Sequence, residues 1–438
     1  MQMNASWPTR RLCELADIRV SNVDKKVHAN EKAVKLCNYM DVYSNEYITD
    51  NIRFMNGSAT TSETDRFGLE LGDVIITKDS ETPDDIGIPA VITEAIDNLV
   101  CGYHLALIRP DSDRLDSVYL AKQISTSRVA KYFGRHATGS TRYGLPTSAI
   151  QSVEIPVPPF AEQAKIAEIL STVDQAIERT EALITKQQRI KTGLIEDLLT
   201  RGIDEQGNLR SEETHRFKDS PLGRIPVEWD VVRLGSVSEI GSGLTLGNTY
   251  SGRNTVELPY LRVANVQDGY LDLAEVRTVQ VPESDVRKYQ LEVGDVLMNE
   301  GGDFDKLGRG SVWNGEIENC LHQNHVFRVR PMPGKLAPGY LSTVSASPYG
   351  KSFFILASKQ STNLASINST QLKSFPIPLP EYGEQLRIEG VVRQSASTQE
   401  ETGKQLRKLR SLKTGLMQDL LTGRVRVTAL LSDSEVMG

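Results

Sequence analysis

Apolar residues recur at alternating spacings of four and three along one stretch of the chain: Ile166, Leu170, Val173, Ile177, Thr180 and Ile184. This is the seam of a helix that packs on another helix, because a mean spacing near 3.5 keeps one stripe facing a partner. Polar Gln187 and Lys191 interrupt the stripe before Leu194 and Leu198 restore it. The pattern predicts a helix from about residue 161 to 200. At 1.5 Å per residue that is a rod of about 60 Å, too long to lie inside one globular domain. A second helix is expected from about residue 383 to 422, with Ile388 near its start and polar Ser395, Gln399 and Thr402 on the stripe. Leu406, Leu409, Leu416 and Leu420 carry the stripe to its end. Polar seam positions fix register at a cost in stability. The two rods are expected to pack on each other, since two independent helices would leave both stripes bare.

Each helix follows a segment of a different kind. Short apolar runs such as Asp73–Thr77 and Leu105–Ile108 are bounded by Gly, Pro, Asn, Asp and Ser, and read as strands. Alternating prolines then close the strand-rich part, in Ile155-Pro156-Val157-Pro158-Pro159 and in Ile377-Pro378-Leu379-Pro380. Such a segment must stay extended and cannot continue a helix.

The two halves are copies. Trp229 stands 222 positions after Trp7, and the same offset carries Arg11-Leu12 onto Arg233-Leu234 and Ile18 onto Ile240. It also carries Gly72-Asp73-Val74 onto Gly294-Asp295-Val296, Glu162-Gln163 onto Glu384-Gln385 and Ile166 onto Ile388. Lys191-Thr192-Gly193-Leu194 falls on Lys413-Thr414-Gly415-Leu416, and Asp197-Leu198-Leu199-Thr200 on Asp419-Leu420-Leu421-Thr422. Between these blocks, His104 and Arg109-Pro110 match His325 and Arg330-Pro331 at offset 221. Chance does not produce so many matches at one spacing, and the chain is a tandem duplication. The expected fold is α+β: a strand-rich domain followed by a long helix, twice over, with the two helices packed on each other.

Composition narrows the function. With 438 residues, 39% hydrophobic and 24% charged, the chain is globular and sized for about three domains. No run is long and apolar enough for a membrane span, and the first residues lack a secretory pattern. Cys13, Cys37, Cys101 and Cys320 are scattered and read as free thiols in a reducing cytoplasm. The net charge of -7, from 50 basic and 57 acidic residues, argues against a simple nucleic-acid binder. Any DNA binding then needs local basic clusters or a partner that supplies positive charge.

Catalytic motifs dissolve on inspection. Val157-Pro158-Pro159-Phe160 looks like an amino-methyltransferase signature, but valine offers no hydrogen bond to a target amino group. The glycine-rich stretch from Gly241 to Gly247 matches neither phosphate-loop fingerprint and reads as a turn between strands. Pro83-Asp84 has no Asp/Glu-x-Lys partner through Val118, so a restriction-nuclease metal site is missing. Of His28, His104, His136, His215, His322 and His325, only the last two lie close in sequence, and core or solvated imidazoles are the expected reading. No catalytic or metal-ligating residue is assigned, and the chain is expected not to be an enzyme.

Polar turns are the better signal. Thr138-Gly139-Ser140-Thr141-Arg142-Tyr143-Gly144-Leu145 gathers hydroxyls, an arginine and a tyrosine. Its counterpart is Ser358-Lys359-Gln360-Ser361-Thr362-Asn363-Leu364-Ala365. Arginine can grip guanine bidentately, and Asn and Gln can do so for adenine. Hydroxyls suit phosphate. The same hydroxyls can also cap the element that follows, and both readings stay open. Candidate DNA contacts are therefore Ser140, Thr141, Arg142 and Tyr143 in one copy and Gln360, Ser361, Thr362 and Asn363 in the other. Lys78, after the strand Asp73–Thr77, joins them, with Lys306 and Arg309 in the glycine-rich run of the second copy. Glycine there permits close backbone approach to phosphate, although a solvated hairpin tip fits as well.

With these features in hand, the chain resembles the specificity (S) subunit of Type I restriction-modification systems over nearly all its length. The most specific parts run from Glu162-Gln163 to Asp197-Leu198-Leu199-Thr200 and from Glu384-Gln385 to Leu420-Leu421-Thr422-Gly423-Arg424-Val425. The resemblance implies target-recognition domains at residues 1–160 and 229–381, helical spacers at 161–203 and 382–427, a connector at 204–228 and a frayed tail at 428–438. It implies that each domain reads half of a bipartite, asymmetric site in double-stranded DNA. The helices, as an antiparallel coiled-coil spacer, would set the gap and dock two modification subunits, with Ile166, Leu170, Val173, Ile177, Ile184, Leu194, Leu198, Ile388, Leu406, Leu409, Leu416 and Leu420 serving helix packing or partner binding. No cofactor is expected on this chain: S-adenosylmethionine would sit on adenine-methylating modification subunits, and ATP and Mg on separate motor-nuclease subunits. Two alternatives remain open from sequence: a reader for a methylate-only or Type IIB-like assembly, and a coiled-coil adaptor that binds only protein.

Overall fold

The computed structural model describes residues 7–247, 254–302, 307–360 and 365–431. Two compact units divide the chain: Met1–Glu181 with Gln405–Gly438, and Ala182–Lys404.

In the first unit, a five-stranded sheet runs in the order Ala16–Val20, Leu105–Pro110, Val74–Thr77, Pro89–Ile92, Tyr47–Ile48. Neighbours are antiparallel except the last pair, which is parallel. The central strands are apolar over residues 74–76, 89–92 and 105–108 because both sheet faces are covered there. Val74, Ile76, Ala106 and Ile108 point into a core shared with α1 (Ser117–Ile124), α2 (Ser127–His136) and the start of α3 (Phe160–Thr200). Ile75, Leu105 and Leu107 point the other way, onto a three-stranded sheet of Met55–Ala59, Lys32–Cys37 and Leu99–Cys101.

The second unit repeats this plan. Its sheet runs Ser238–Ser242, Val326–Pro331, Val296–Asn299, Gly310–Val312. Val296, Met298, Phe327 and Val329 face α4 (Pro338–Ala346), α5 (Pro348–Ala357) and the start of α6 (Tyr382–Leu420). Leu297 and Val326 face a separate core on the other side.

The repeated sequence blocks are the joints of this plan. Gly72 and Gly294 turn with φ of 89° and 94°, a region where a side chain is strained. The next residue, Asp73 or Asp295, is buried and accepts a two-pronged bond from the repeated arginine. Arg109 Nε and Nη2 reach Asp73 at 2.8 Å each, and Arg330 reaches Asp295 at 2.7 and 2.8 Å. The repeated glutamine pins each long helix to its own domain. Gln163 accepts from the Asp116 amide and donates to the Arg114 and Pro158 carbonyls at 2.9–3.0 Å. Gln385 does the same with Ala337, Lys335 and Pro380 at 2.9 Å.

The repeated glutamate holds the incoming tail of a long helix. Glu162 accepts from Arg426 Nε at 2.8 Å, while Arg426 lies 5.3 Å from the Trp7 ring. Glu384 accepts from Arg210 Nη2 at 3.0 Å and from Trp229 Nε1 at 3.2 Å. Leu420, Leu421 and Val427 thereby complete the core of the first unit, and Leu198, Leu199 and Ile203 that of the second.

α3 and α6 pack together antiparallel. In the first unit Asp174 meets Lys413 at 2.7 Å and Glu181 meets Arg410 at 2.7 Å. In the second, Gln187 donates to Thr402 at 3.0 Å and Gln399 to Gln188 at 2.7 Å. Ascending numbers on one helix meet descending numbers on the other. The stripe is not one uniform seam: Ile166, Leu170, Leu198, Ile388 and Leu420 are buried in the globular cores, with Leu194 and Leu416 packed against them. Val173, Ile177, Ile184, Leu406 and Leu409 are half-buried along the rods.

The copies differ where the domain meets its helices. In the first unit Lys122 bonds Asp174 and Glu46, Lys413 reaches both carboxylates, and the Tyr47 hydroxyl donates to Asp174 at 2.7 Å. Only about 160 Å³ stays open beside this network. The sheet register and the repeat offset put Gly269, Thr343 and Ala396 where Tyr47, Lys122 and Asp174 stand. Three large side chains become small ones, and a cleft of about 1060 Å³ opens there.

Candidate nucleic-acid interface

In the first unit the strand exit carrying Lys78 meets the polar turn. The Lys78 amide donates to the His104 carbonyl at 2.8 Å, and the Leu145 amide donates to the Lys78 carbonyl at 2.8 Å. Tyr143–Gly144 pairs antiparallel with Asp79–Ser80, and Thr138 and Gly144 exchange backbone bonds at 2.9 and 2.8 Å. Ser140, Thr141 and Arg142 are thus held exposed at the tip of a closed turn, with Tyr143 half-buried at its base. Gly139 sits at φ 141°, and a Cβ there would run into the Arg142 carbonyl. The hydroxyls do not cap the next helix, Thr147–Ser152, whose N-cap is Pro146. They stay available to a ligand.

Lys78 lies 3.3 Å from Asp79 and 5.6 Å from the centre of the Tyr103 ring. His104, at φ 74°, places Nδ1 2.6 Å from Asp79. Asp79, Tyr103 and His104 therefore build this corner; the sequence pattern marks His104 only as a repeated residue, and Asp79 and Tyr103 not at all. The match of His104 with His325 was the available signal.

The second unit keeps the frame and changes the chemistry. The Glu300 amide donates to the His325 carbonyl at 3.0 Å, and the Ile367 amide donates to the Glu300 carbonyl at 2.9 Å. Those are the bonds Lys78 makes, so the counterpart of Lys78 is Glu300, paired with His325 Nδ1 at 2.6 Å. Arg309 Nη1 donates to Gln267 at 2.8 Å, which turns part of its guanidinium inward. Lys359–Gln360 pairs with Ala365–Ser366, which pairs in turn with Gly301–Gly302. Lys306, Ser361, Thr362 and Asn363, with the side chain of Gln360, lie outside the described residues. The following helix, Ser369–Lys373, is capped by Asn368.

The histidine pair does not act as one site. His322 is fully buried with Nδ1 on the Val326 carbonyl at 2.7 Å, and burial lowers its pKa to about 4. Among the described residues there is no group of three or more His, Cys, Asp and Glu able to hold a metal ion. Among them, too, no helix is long and apolar enough to cross a membrane.

The fold therefore defines a duplicated recognition protein: one scaffold, used twice, presents turns of different chemistry at equivalent corners. Family comparison agrees, since the model for the Type I restriction modification DNA specificity domain matches residues 4–187 and again residues 226–411. The chain belongs to this family. A Methanocaldococcus jannaschii chain named as the MjaX Type I restriction enzyme specificity subunit is 29% identical over 230 residues, 52% of this chain and 53% of that one. This chain thus spans about half the length of that relative. The MjaVIII specificity subunit of the same organism is 25% identical over 430 residues, 94% of this chain and 93% of its own. The crystal structure of a Type I S subunit from M. genitalium shares the fold, with TM-score 0.57 at 15% identity over 96% of this chain and 97% of its own.

Proposed function

We propose that this chain is the sequence-reading subunit of a Type I restriction-modification complex, each domain taking one half of a bipartite, asymmetric site in duplex DNA. The observation that carries the reading is the match of the DNA specificity model to both repeats. The repeated corners add to it, because Lys78 with Arg142 in one copy and Glu300 with His325 in the other would read different bases. Two readers on one frame have the use that two-fold symmetry has in dimeric DNA-binding proteins, a fixed separation between half-sites.

In this reading α3 and α6 set the gap and dock two modification subunits. Those subunits bind S-adenosylmethionine and methylate adenine, and motor-nuclease subunits, where present, use ATP and Mg. This chain contributes recognition and no catalytic group. Its net charge of -7 is compatible with binding when the modification subunits also contact phosphates.

The test is a single-molecule methylome of a methylation-free host carrying this chain with the modification subunit encoded beside it, and each gene alone. N6-methyladenine confined to one bipartite asymmetric motif, and only with both genes, is the expected result. A purified complex that adds no methylation overturns the reading.

A further inference from the structure

α2 has two faces of opposite character. Val129 and Phe133 are fully buried, with the Phe133 ring against Gly87. On the opposite face Arg128, Lys131 and Arg135 follow at spacings of three and four, and all are exposed. Arg11, exposed on the neighbouring strand Thr9–Arg11, and His136 line the same groove, which holds about 520 Å³. Glu154 is its single acidic residue.

The three cations of α2 stand without counterions among the described residues. Arg109, Lys122, Lys413 and Arg426 of the same unit each have a carboxylate. Arg128, Lys131 and Arg135 form no ion pair among the described residues, while Arg11 stands opposite Glu154 in its strand pair. Like charges at i, i+3 and i+4 weaken a helix by a few tenths of a kcal/mol per pair, and only Arg135, in the last turn, gains from the helix dipole in return. The fold does not demand this arrangement. Phe354 of α5 packs on Gly308 as Phe133 packs on Gly87. In that frame Tyr349, Ser352 and Leu356 replace Arg128, Lys131 and Arg135, and Leu356 is 86% exposed. The groove also leads into the reading corner: α2 ends at His136, and the turn from Thr138 to Gly144 with exposed Arg142 follows at once.

We propose that the Arg128–Lys131–Arg135 face of α2, with Arg11 beside it, grips the DNA backbone next to the half-site read by the first domain, and that the second domain has no such anchor. The proposal rests on the DNA-reading function above and adds where, on an acidic chain, the phosphate charge is met. Unpaired guanidinium and ammonium groups along one face fit successive phosphates, which position the protein without carrying sequence information.

The experiment uses the full chain assembled with its modification subunits. Binding to a duplex with the methylated motif and to a scrambled duplex is measured across a salt series, for wild type, Lys131→Ala/Arg135→Ala, and Ser352→Ala. Thermal melts confirm that the exposed substitutions leave the fold intact. The double variant is expected to weaken on both duplexes by the same factor and to lower the salt slope by about 2, at roughly 0.9 per lost phosphate contact. Ser352→Ala is expected to change nothing, and the methylated motif stays the same. An unchanged slope overturns the proposal, as does a loss confined to the cognate duplex, which would make the face a base reader. Failure of the variant to assemble with modification subunits overturns it in favour of a protein-binding face. A wild-type complex that binds neither duplex overturns the functional reading itself, and this inference with it.

Discussion

Replacing Asp174 by alanine isolates the network that ties the first recognition domain to α3 and α6. Burial alone would raise the Asp174 pKa, but Lys122, then Lys413 and the Tyr47 hydroxyl, outweigh it and hold the carboxyl below its ordinary value. Without that carboxylate, Lys122, 3% exposed, keeps Glu46, at 2.5 Å and on a side chain 54% exposed, and the Tyr47 ring at 5.0 Å. Breaking a buried ion pair from one side costs about 3–5 kcal/mol. The remaining Glu46 contact puts this case at the lower end, about 3 kcal/mol. Converting both partners, Lys122→Met with Asp174→Leu, removes the stranded charge and is expected to recover most of the loss, since buried pairs exchange for apolar ones at little cost. Hydrogen exchange read by mass spectrometry separates the two units of the intact chain. Peptides from residues 117–136 should lose protection in Asp174→Ala, while those from 338–357 keep theirs. A loss below about 1 kcal/mol, well under the cost expected for a stranded buried charge, would refute the reasoning. So would a double variant no better than the single one.

Other expectations follow from the same geometry. Gly202 sits at φ 65° with Glu384, Trp229 and Arg210 inside Cβ distance, whereas Gly207, at φ 86°, has open space around it. Gly202→Ala should cost about 3 kcal/mol or more by displacing a buried ion pair, and Gly207→Ala about 1–2 from backbone strain alone; urea unfolding compares them. His322 stays neutral in the folded protein until about pH 4 but protonates near 6.5 once unfolded. Its contribution is therefore whole above pH 6.5 and falls as pH drops towards 4, by about 2 kcal/mol at pH 5. His322→Gln should flatten that limb of the melting temperature against pH, and an unchanged limb would show another group to be responsible. Arg142→Ala should relax base preference in one half-site of the methylated motif. Equal weakening on all sequences would make Arg142 a phosphate contact instead.

The repeat, the α+β plan and both long helices were legible because each rests on local pattern. What the repeated residues do was not, because the answers are long-range. Gln163 and Glu162 read as part of a helix start, yet their partners are Arg114, Asp116 and Arg426. The stripe showed a seam without naming its partner: spacing of four and three is the same whether Ile166 meets another helix or, as here, a globular core. Lys78 and the turn at Ser140–Tyr143 were both singled out, and the pairing of Tyr143 with Ser80 brings them together. The role of Asp79 and His104 at the same corner was not legible, since their contact spans 25 residues. The second copy appeared to match Lys78 with cations near Lys306. The repeat offset of 222 sets Lys78 on Glu300, and the backbone bonds of Glu300 show the same: a carboxylate takes the position.

The tails that complete each core also set an order for biosynthesis. The second unit is one unbroken stretch, Ala182–Lys404, and every residue of its core has left the ribosome when that stretch is out. The first unit is split, and Met1–Glu181 must wait for the segment after Gln405, because Leu420, Leu421, Val427 and the Leu421 carbonyl that receives Gln123 lie there. During translation the earlier domain is the unfinished one, with an apolar socket and the Glu162 carboxylate uncovered until Arg426 arrives. A chain cut before Leu420 therefore fails first at the domain of the first unit, and synthesis through Val427 is a condition for that domain's core to close.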